Sequence, residues 1–392
     1  MHLTQHEEDL LESSNSAVRK AMELLVKLGD IYGAEEMIEI ESAQASGISY
    51  KSIGDPGVEF LEGFADEGAE ASVPTFANPA GMDLERWEEL GIDDEFAEQQ
   101  FRIRDALKEM GIVLSFTCTP YLAGNLPRRG QHVAWAESSA VSFVNSVVGA
   151  RTNREGGPSA LAASITGRTP KYGLHLEENR QPTYRIDVEA DIESQADFAA
   201  LGSWTGRLVE DGKPYFTGID AGGTDHLKAL GAAMAATGAV ALHFVEGVTT
   251  EMEPPENVET VTFGEGELQA EYDELTTAED PELVVIGCPH CSPEEIQDVA
   301  ATVEGKSLTS DLWVCTSASV KTWADRNGLT ETIEAAGGKV LADTCNVVSP
   351  IEELGYESSA TDSAKAATYL PGFCNQDVAF NDKETLLAEV TE

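Results

Sequence analysis

The sequence predicts an α/β fold in which parallel sheets are covered by helices. From about residue 215, apolar runs of strand length recur, and helix-like segments alternate with the last four of them. These runs are PYFTGID, GAVALHFVEG, ELVVIGCP, LWVCTS and KVLADTCNVV. The stretch SPEEIQDVA predicts a helix start, because Ser292 suits the N-cap, Pro293 the first helical position and Glu295 the closing position of a capping box. Alternating strands and helices are typical of a parallel sheet with helices on its faces.

The N-terminal half shows the same two kinds of segment. Apolar residues fall roughly on one face over residues 6–33, which predicts a helix. The β-branched run in IVLSFTCTP predicts a strand that Pro120 ends. The other predicted elements are a strand in EEMIEIESA, a helix over residues 83–110 broken at Gly91, helical residues 131–167 broken at NREGGP, a strand in TYRIDVEAD, and a small helix after Asp377.

Composition places the chain among globular proteins of two or three domains. It has 392 residues, of which 42% are hydrophobic, enough for sizeable cores. Its 70 acidic and 25 basic residues give a formal net charge of −45. This negative charge argues against binding to nucleic acid or to an anionic membrane. It favours a chain that stays hydrated at very high salt, with an acidic docking face for a partner as the alternative.

The sequence predicts neither export nor membrane insertion. Its start, MHLTQHEEDLLESS, is polar and acidic, unlike a signal peptide. The longest apolar-looking run, residues 229–245, is interrupted by Thr237, Gly238 and His243, so it predicts a helix end followed by a buried strand. We therefore expect a cytoplasmic protein, in which six cysteines suggest metal binding or catalysis more than disulfides.

Four of the six cysteines fall at the ends of predicted strands. They are Cys118, Cys288, Cys315 and Cys345. Ligands of open parallel sheets bind outside the carboxyl ends of the strands, so a shared metal site is one interpretation. Cysteine is also a small hydrophobic residue that is often buried in strands. Placement alone leaves both interpretations open.

The segment IGCPHC, residues 286–291, is consistent with a redox pair, half of a zinc site or a single metal ligand. A redox pair needs its cysteines at a helix start, and Pro293 places that start after Cys291. A structural zinc site needs a second pair at similar spacing, and the sequence has no other CxxC. A single thiolate at Cys288 fits best. His290 is either a further ligand or, more simply, a residue that caps the turn or lines the pocket.

A candidate anion site lies in GARTNREGGPSALAAS, residues 149–164. Arg151 and Arg154 stand out in a chain with few basic residues, and glycines precede a helix with Pro158 in its first turn. Free amides at a helix start, flanked by arginines, suit a carboxylate or phosphate. The alternative is a tight turn whose arginines pair with local acids. The glycines of DAGGTDHLKALGAA lack a full dinucleotide fingerprint, and the sequence has neither a GK[ST] loop nor a G-x-S-x-G elbow.

Longer stretches resemble a known family, aconitase X. They are TCTPYLAGNLPRRGQHVAWAESSAVSFVNSVVGARTNREGGPSALAASITGRTP, GCPHCSPEEI, ADTCNVVSPI, MHLTQHEEDLL, SYKSIGDPGVEFLE and PTFANPAGMD. The resemblance covers essentially the whole chain. It implies an aconitase-like fold of several α/β domains, with the active site in the cleft between them and a swivel domain on a separate chain. We expect an N-terminal part over roughly residues 1–205, a C-terminal part over 206–376 and a tail over 377–392.

The resemblance also implies an activity, a cofactor and a partner. Archaeal members dehydrate mevalonate 5-phosphate to trans-anhydromevalonate 5-phosphate, and relatives dehydrate cis-3-hydroxy-L-proline. Their iron–sulfur cluster, which we expect to be [4Fe-4S], matches the ligands Cys118, Cys288 and Cys345 here. A separate small subunit, the swivel domain, supplies an active-site serine. A non-catalytic iron–sulfur protein is the alternative from another class. The cysteines left without a ligand role are Cys291, Cys315 and Cys374.

Dehydration of a 3-hydroxy acid sets the roles expected of the site residues. The leaving hydroxide needs a Lewis acid, which the resemblance assigns to an iron without a cysteine ligand, so no redox partner is needed. The proton acceptor is the partner's serine or a residue that the sequence does not identify. The expected catalytic residues are Thr119, Tyr121, Ser138, Ser139 and Lys365, with a structural role left open for the last three. The expected substrate-binding residues are Asn78, Arg151, Asn153, Arg154, Gly156, Gly157 and Ser159.

Two positions depart from the family's pattern. Gln44 in SAQASG and Thr368 in SAKAATYLPG stand where the family often has histidine. Both are expected in loops near the site, so they bear on the choice of hydroxy-acid substrate.

Overall fold

The computed structural model describes residues 1–219, 223–249 and 254–392. Within these ranges the chain forms three parallel sheets flanked by helices and one small antiparallel ribbon, which confirms the predicted α/β fold. Two features of the sequence fall partly outside the described residues. Asp220 ends the predicted strand PYFTGID, and Gly222 belongs to the glycine pair of DAGGTD.

The first sheet has three parallel strands in the order Thr75–Ala77, Ala43–Ala45 and Ala134–Trp135. Beside it, Met37–Glu39 pairs antiparallel with Arg168–Pro170. Because these strands are very short, helical residues supply most of the core around them. The helices are Gln5–Leu11, Ser16–Tyr32, Tyr50–Asp66, Trp87–Leu90, Asp94–Glu109, Ser138–Phe143 with its π-helical continuation Val144–Val148, and Gly157–Thr166. Short 3-10 helices are Pro120–Leu122, Gly173–His175 and Glu177–Arg180.

The second sheet has four parallel strands and a layer of closely packed helices. The strand order is Phe244–Val245, Pro214–Thr217, Tyr184–Val188 and Glu259–Phe263. The helices are Gln195–Val209, Thr224–Thr237 and Glu265–Leu275. The first two helices need glycine where they meet, because a Cβ at Gly202 would lie 2.4 Å from the carbonyl oxygen of Leu230.

The third sheet has five parallel strands and follows the alternation that the sequence predicts. The strand order is Lys339–Ala342, Asp311–Thr316, Leu283–Ile286, Ser358–Thr361 and Asp377–Phe380. The helices are Pro293–Val303, Ala318–Arg326, Leu329–Ala335, Ala364–Cys374 and Lys383–Glu389. The predicted capping box is present, since Ser292 Oγ accepts from the Glu295 amide at 3.2 Å and the Glu295 carboxylate accepts from the Ser292 amide at 2.6 Å.

Some predicted elements have different bounds in the structure. The predicted helical stretch over residues 131–167 is wrong at its start, where Ala134–Trp135 is a strand, and its first helix begins at Ser138. The single helix over residues 6–33 is two helices, because Asn15 caps a new one by accepting from the amides of Ala17 and Val18. The break at Gly91 is confirmed, with a φ of 79°. The stretch after Asp377 begins as a strand before its helix. Only Phe244–Val245 of GAVALHFVEG is a strand.

The predicted strand IVLSFTCTP is wrong. Only Val113 makes a bridge, to Phe76. At Phe116 the φ angle is 37°, which no extended strand allows, and the chain turns there. That turn takes Cys118 away from the sheet and into a loop.

The predicted divisions near residues 205 and 376 stay predictions. One helix, Gln195–Val209, runs across the first of them, and the strand just after the second pairs with Ser358–Thr361. Across the described part of the chain, no helix has both the length and the apolar character needed to cross a membrane.

Candidate active site

A cleft between the first and third sheets gathers residues that follow the carboxyl ends of parallel strands. It encloses about 280 Å³. Parallel strands present the loops after their carboxyl ends on one edge of the sheet, which is where ligands of such folds bind. From the first sheet, the lining includes Ser46 after Ala43–Ala45, Asn78 and Pro79 after Thr75–Ala77, and Ala136, Glu137 and Ser138 after Ala134–Trp135. From the third sheet, it includes Cys288 after Leu283–Ile286, Cys345 after Lys339–Ala342 and Lys365 after Ser358–Thr361.

The three predicted cluster ligands line this one cleft. Cys118, Cys288 and Cys345 keep 6%, 8% and 7% of their surface exposed. The other three cysteines have 0% exposure and lie elsewhere. Cys291 and Cys315 pack in the third sheet, joined by a backbone hydrogen bond of 2.9 Å, and Cys374 contacts Lys51 Nζ at 3.1 Å.

Burial opposes ionisation of the three cleft thiols. It raises the pKa of Cys118 well above its ordinary value and that of Cys288 to about 12, and it also raises the pKa of Cys345. The positive charge of Lys365 acts in the opposite direction on all three thiols. A bound metal reverses this balance, because coordination deprotonates a thiol outright.

The donors in the cleft fit an iron–sulfur cluster better than a single ion. Among the described residues, no three His, Cys, Asp or Glu side chains are grouped closely enough to hold one metal ion. A cluster places each cysteine on a different iron, so its ligands stand further apart. The loop around Cys345 also holds buried polar atoms that lack a protein partner: Thr344 Oγ1, both side-chain polar atoms of Asn346, and Ser349 Oγ. Buried polar groups are normally hydrogen-bonded, so the donors among these atoms, Asn346 Nδ2 and the two hydroxyls, suit a bound group that carries acceptor atoms.

A buried ion pair between Glu137 and Lys365 forms one wall of the cleft. Their side chains are 13% and 9% exposed. Glu137 also accepts from Asn78 Nδ2 at 2.8 Å and from Ser139 Oγ at 3.1 Å, and Lys365 Nζ lies 3.2 Å from Ser139 Oγ. Burial favours neutral Glu137, but the charge of Lys365 and the three hydrogen bonds outweigh it and lower the pKa to about 2. Burial likewise disfavours charged Lys365, but Glu137 raises its pKa above the ordinary value.

Of the predicted anion loop, Arg154 lines the cleft. Its guanidinium is exposed, donates to the Ala235 carbonyl at 3.2 Å and has no carboxylate partner among the described residues. Gly157, at the start of the following helix, lets the cleft loop approach, because a Cβ there would lie 2.6 Å from Ser46 O. Gly156 is the N-cap, and its amide donates to Ser159 Oγ at 3.0 Å.

The other predicted residues of that loop make structural contacts. Arg151 pairs with Glu177 and donates to the His175 carbonyl at 3.3 Å. Asn153 holds the turn at residues 172–174 through Tyr172 O and the Leu174 amide. Ser159 also donates to the buried carboxylate of Glu155.

Thr119 and Tyr121 lie behind the cleft wall. Thr119 Oγ1 lies 3.0 Å from Thr117 Oγ1. Tyr121 stacks on Phe143 with ring centroids 4.0 Å apart, and burial raises the pKa of its hydroxyl. Ser138 does reach the cleft, whereas Ser139 acts through Glu137 and Lys365.

The two positions that depart from the family pattern lie outside the lining, and the expectation that both lie in loops is wrong: Gln44 is in the strand Ala43–Ala45 and Thr368 is in the helix Ala364–Cys374. Gln44 is buried, and its Nε2 donates to Asn78 Oδ1 at 3.3 Å and to Thr117 O at 3.4 Å. Gln44 therefore supports a cleft residue. Thr368 donates to Ala364 O at 2.7 Å within its own helix.

Sequence reasoning missed part of the lining. The chief omission is Glu137, and Ser46, Gly47, Ser52, Tyr369 and Phe373 were also not predicted. The strand before Glu137, Ala134–Trp135, is too short to leave a pattern. Ser46, Gly47 and Glu137 follow strands of the first sheet, and that position is the signal that could have found them, but the short strands leave no pattern in the sequence. Ser52, Tyr369 and Phe373 lie within helices and carry no such signal.

Comparison with known proteins adds family identity to this geometry. Family models described as the first, second and third domains of aconitase X match residues 1–178, 182–273 and 281–392. The phosphomevalonate dehydratase large subunits of Methanothermobacter thermautotrophicus and Methanocaldococcus jannaschii are 53% and 52% identical to this chain, covering 99% of it and 98% and 99% of the relatives. The crystal structure of Thermococcus kodakaraensis aconitase X in its holo-form is 46% identical, has a TM-score of 0.94 and covers 100% of both chains. The cis-3-hydroxy-L-proline dehydratase of Pseudomonas aeruginosa is 34% identical over 93% of this chain, which spans 65% of that protein. This chain belongs to the aconitase X family.

Proposed function

We propose that this chain is the catalytic large subunit of an iron–sulfur hydro-lyase that dehydrates mevalonate 5-phosphate. One observation carries the proposal: three thiols, a buried ion pair and an arginine without a carboxylate partner in the described residues converge on one cleft. The large subunits that this chain resembles over its whole length are named for the same reaction.

The thiols of Cys118, Cys288 and Cys345 would hold the cofactor, which we propose is a [4Fe-4S] cluster. When bound, it supplies Lewis acidity toward the hydroxyl that leaves. The rest of the cleft would bind and orient the anionic substrate, and this is the task of the chain's own residues.

Arg154 would anchor a carboxylate or phosphate oxygen. Its guanidinium lines the cleft and contacts only a carbonyl oxygen among the described groups. An arginine that faces an anion makes stronger, charge-assisted hydrogen bonds than a neutral donor does. Ser46 and Ser138 line the same cleft, and their hydroxyls would add neutral donors.

Glu137 is held as a carboxylate and would orient the site without removing the substrate proton. A carboxylate with a pKa of about 2 is a weak base at neutral pH. Its oxygens are also engaged by Lys365, Asn78 and Ser139. We therefore propose that the proton acceptor comes from the small subunit, as the serine that the family resemblance implies.

The second candidate substrate is cis-3-hydroxy-L-proline. It also carries a carboxylate and a hydroxyl, so the same cleft chemistry would apply. Two relatives named for it are less similar to this chain, at 34% and 31% identity, and this chain spans 65% and 64% of their lengths. That difference favours mevalonate 5-phosphate.

The test is activity of the two-subunit protein, purified without oxygen. Iron and inorganic sulfide would be measured, EPR spectra recorded with and without each substrate, and dehydration followed by product analysis. Turnover of mevalonate 5-phosphate, with an EPR signal that it perturbs, is the expected result. Turnover of hydroxyproline alone would replace the substrate. Folded protein with a cluster that neither compound perturbs and no turnover would favour a non-catalytic iron–sulfur protein.

A further inference from the structure

The imidazole of His290 lies between the loops that carry the three cleft cysteines. It follows Cys288 in the same loop. Its Nδ1 lies 3.0 Å from the hydroxyl of Thr117, and its Nε2 lies 2.9 Å from the carbonyl oxygen of Thr344. Thr117 directly precedes Cys118, and Thr344 directly precedes Cys345. One side chain therefore joins all three ligand loops.

The hydrogen-bond partners fix which atoms of this network carry protons. The carbonyl of Thr344 can only accept, so Nε2 of His290 must donate. In the neutral imidazole, Nδ1 then accepts the hydroxyl proton of Thr117. The Thr117 oxygen in turn accepts from the Thr119 amide at 3.1 Å. Both ring nitrogens have a partner, and His290 is 0% exposed.

The backbone of His290 is anchored at the same place. Its amide donates to Cys118 Sγ at 3.2 Å. Its carbonyl accepts from Lys228 Nζ at 3.3 Å, and Lys228 is itself fully buried and paired with Glu295. The imidazole is thus held from both sides and cannot move without breaking several hydrogen bonds. Neither ring nitrogen is free to bind a metal.

We propose that His290 is a positioning residue that sets the spacing of Cys118, Cys288 and Cys345 through its bonds to Thr117 and Thr344. This inference rests on the proposed iron–sulfur site. It assigns Thr119 a place at the end of the same network, behind the cleft. The imidazole acts by holding three loops in register, so that the thiols are in place before the cofactor binds. Outer partners of this kind change metal retention by about 10-fold to 100-fold.

The main variant is Thr117→Val, which removes the hydroxyl and keeps the shape of the side chain. The matched control is Thr205→Val, because Thr205 is also 0% exposed and its hydroxyl has no partner within the described structure. His290→Gln keeps a donor that can reach Thr344 and loses the bond to Thr117. His290→Leu loses both bonds.

The experiment measures the rate at which the anaerobic two-subunit protein releases iron to a chelator, together with its EPR spectrum and the thermal midpoint of the cluster-free protein. We expect Thr117→Val to release iron about 10-fold faster and His290→Leu up to about 100-fold faster, with altered EPR line shapes. Thr205→Val should match the wild-type protein. Adding Thr117→Val to His290→Gln should accelerate release less than Thr117→Val does in the wild type, because the bond to residue 290 is already lost and only the bonds of Thr117 to Thr119 remain to be lost.

Iron release within about twofold of the wild type in both Thr117→Val and His290→Leu would overturn the inference. It would also be overturned if Thr117→Val and Thr205→Val accelerated release equally with equal loss of thermal midpoint, since that is a general packing effect. A folded wild-type protein without iron would overturn the proposed function as well. If the wild type and all variants retain iron equally well, only the inference about His290 is overturned, and the proposed function stands.

Discussion

Replacing Lys365 with methionine should destabilise the protein by about 3 kcal/mol at neutral pH. The variant keeps the apolar stem and leaves the Glu137 carboxylate buried without its cation. The magnitude follows from the pKa of Glu137, which burial alone would raise but which lies at about 2 instead of 4.5, with Lys365 the largest of the contributions that lower it, ahead of Asn78 and Ser139. At roughly 1.4 kcal/mol for each tenfold change, this difference corresponds to about 3 kcal/mol. The raised pKa of Lys365 reflects the same attraction, so its free energy is not added to that of Glu137. Breaking a buried pair by removing one partner typically costs about 3–5 kcal/mol, which agrees.

The pH dependence has a definite sign. The pKa of Glu137 is lower in the folded protein than in the unfolded chain, so the pair contributes its full stability above about pH 4.5 and loses it as the pH falls toward about 2. The difference between wild type and Lys365→Met should therefore be largest near neutral pH and shrink on acidification across that window.

The free energy of unfolding is measured in urea at constant high salt. The cluster-free protein is used so that loss of iron does not contribute to the measured difference. Lys20→Met is the control, because Lys20 pairs with Glu67 while its side chain is 54% exposed. We expect the control to change stability by less than about 1 kcal/mol. The double variant Glu137→Gln with Lys365→Met should cost less than the sum of the single variants. Additive costs, or a difference that does not change with pH, would refute the reasoning.

The remaining predictions concern the metal, the substrate and salt. Cys288→Ala and Cys345→Ala should abolish the iron and sulfide content of the purified protein. Cys291→Ala should keep both near wild-type amounts, and loss of iron in this variant would contradict the ligand assignment. Arg154→Met should raise KM by about 10-fold or more, because it removes a charge-assisted hydrogen bond to the substrate. Arg151→Met should raise KM less, since Arg151 is paired with Glu177. Steady-state kinetics at one salt concentration measure both values, and equal effects would contradict the assignment of Arg154. The net charge of −45 makes the folded chain repel itself, and salt screens this repulsion. The thermal midpoint of unfolding should therefore rise as KCl increases from about 0.1 M to about 2 M, where the screening length falls below about 3 Å. A midpoint that is independent of salt would contradict this prediction.

Local signals explain what the sequence could predict about the fold. The capping box at Ser292 depends on three neighbouring residues and was predicted correctly. The β-branched residues of IVLSFTCTP predict a strand, but Val113 and Thr117, on either side of the turn at Phe116, both bond to Ala77 in a distant strand. This turn brings Cys118 to the cleft, so this error lies at a loop of the candidate site, and functional sites are where local propensity is often overruled.

Chemical rarity explains what could be predicted about the site. Six cysteines in 392 residues are few enough to examine one by one, and a cluster accepts few other ligands. Glu137 is one of 70 acidic residues, and nothing in its neighbourhood of the sequence distinguishes it. What distinguishes it is Lys365, which lies 228 positions further along the chain. Only the folded structure brings the two together.

The candidate site belongs to the junction between the first and third sheets, and neither region could form it alone. Cys118 comes from the first region, while Cys288 and Cys345 come from the third. The ion pair of Glu137 with Lys365 crosses the same junction, as does the bond from Thr117 to His290. A ligand that needs groups from both sides stabilises their docking by its own binding free energy. Docking of the two regions and binding of the proposed cluster would therefore be linked, and each bond across the junction would also help to hold the thiols in place.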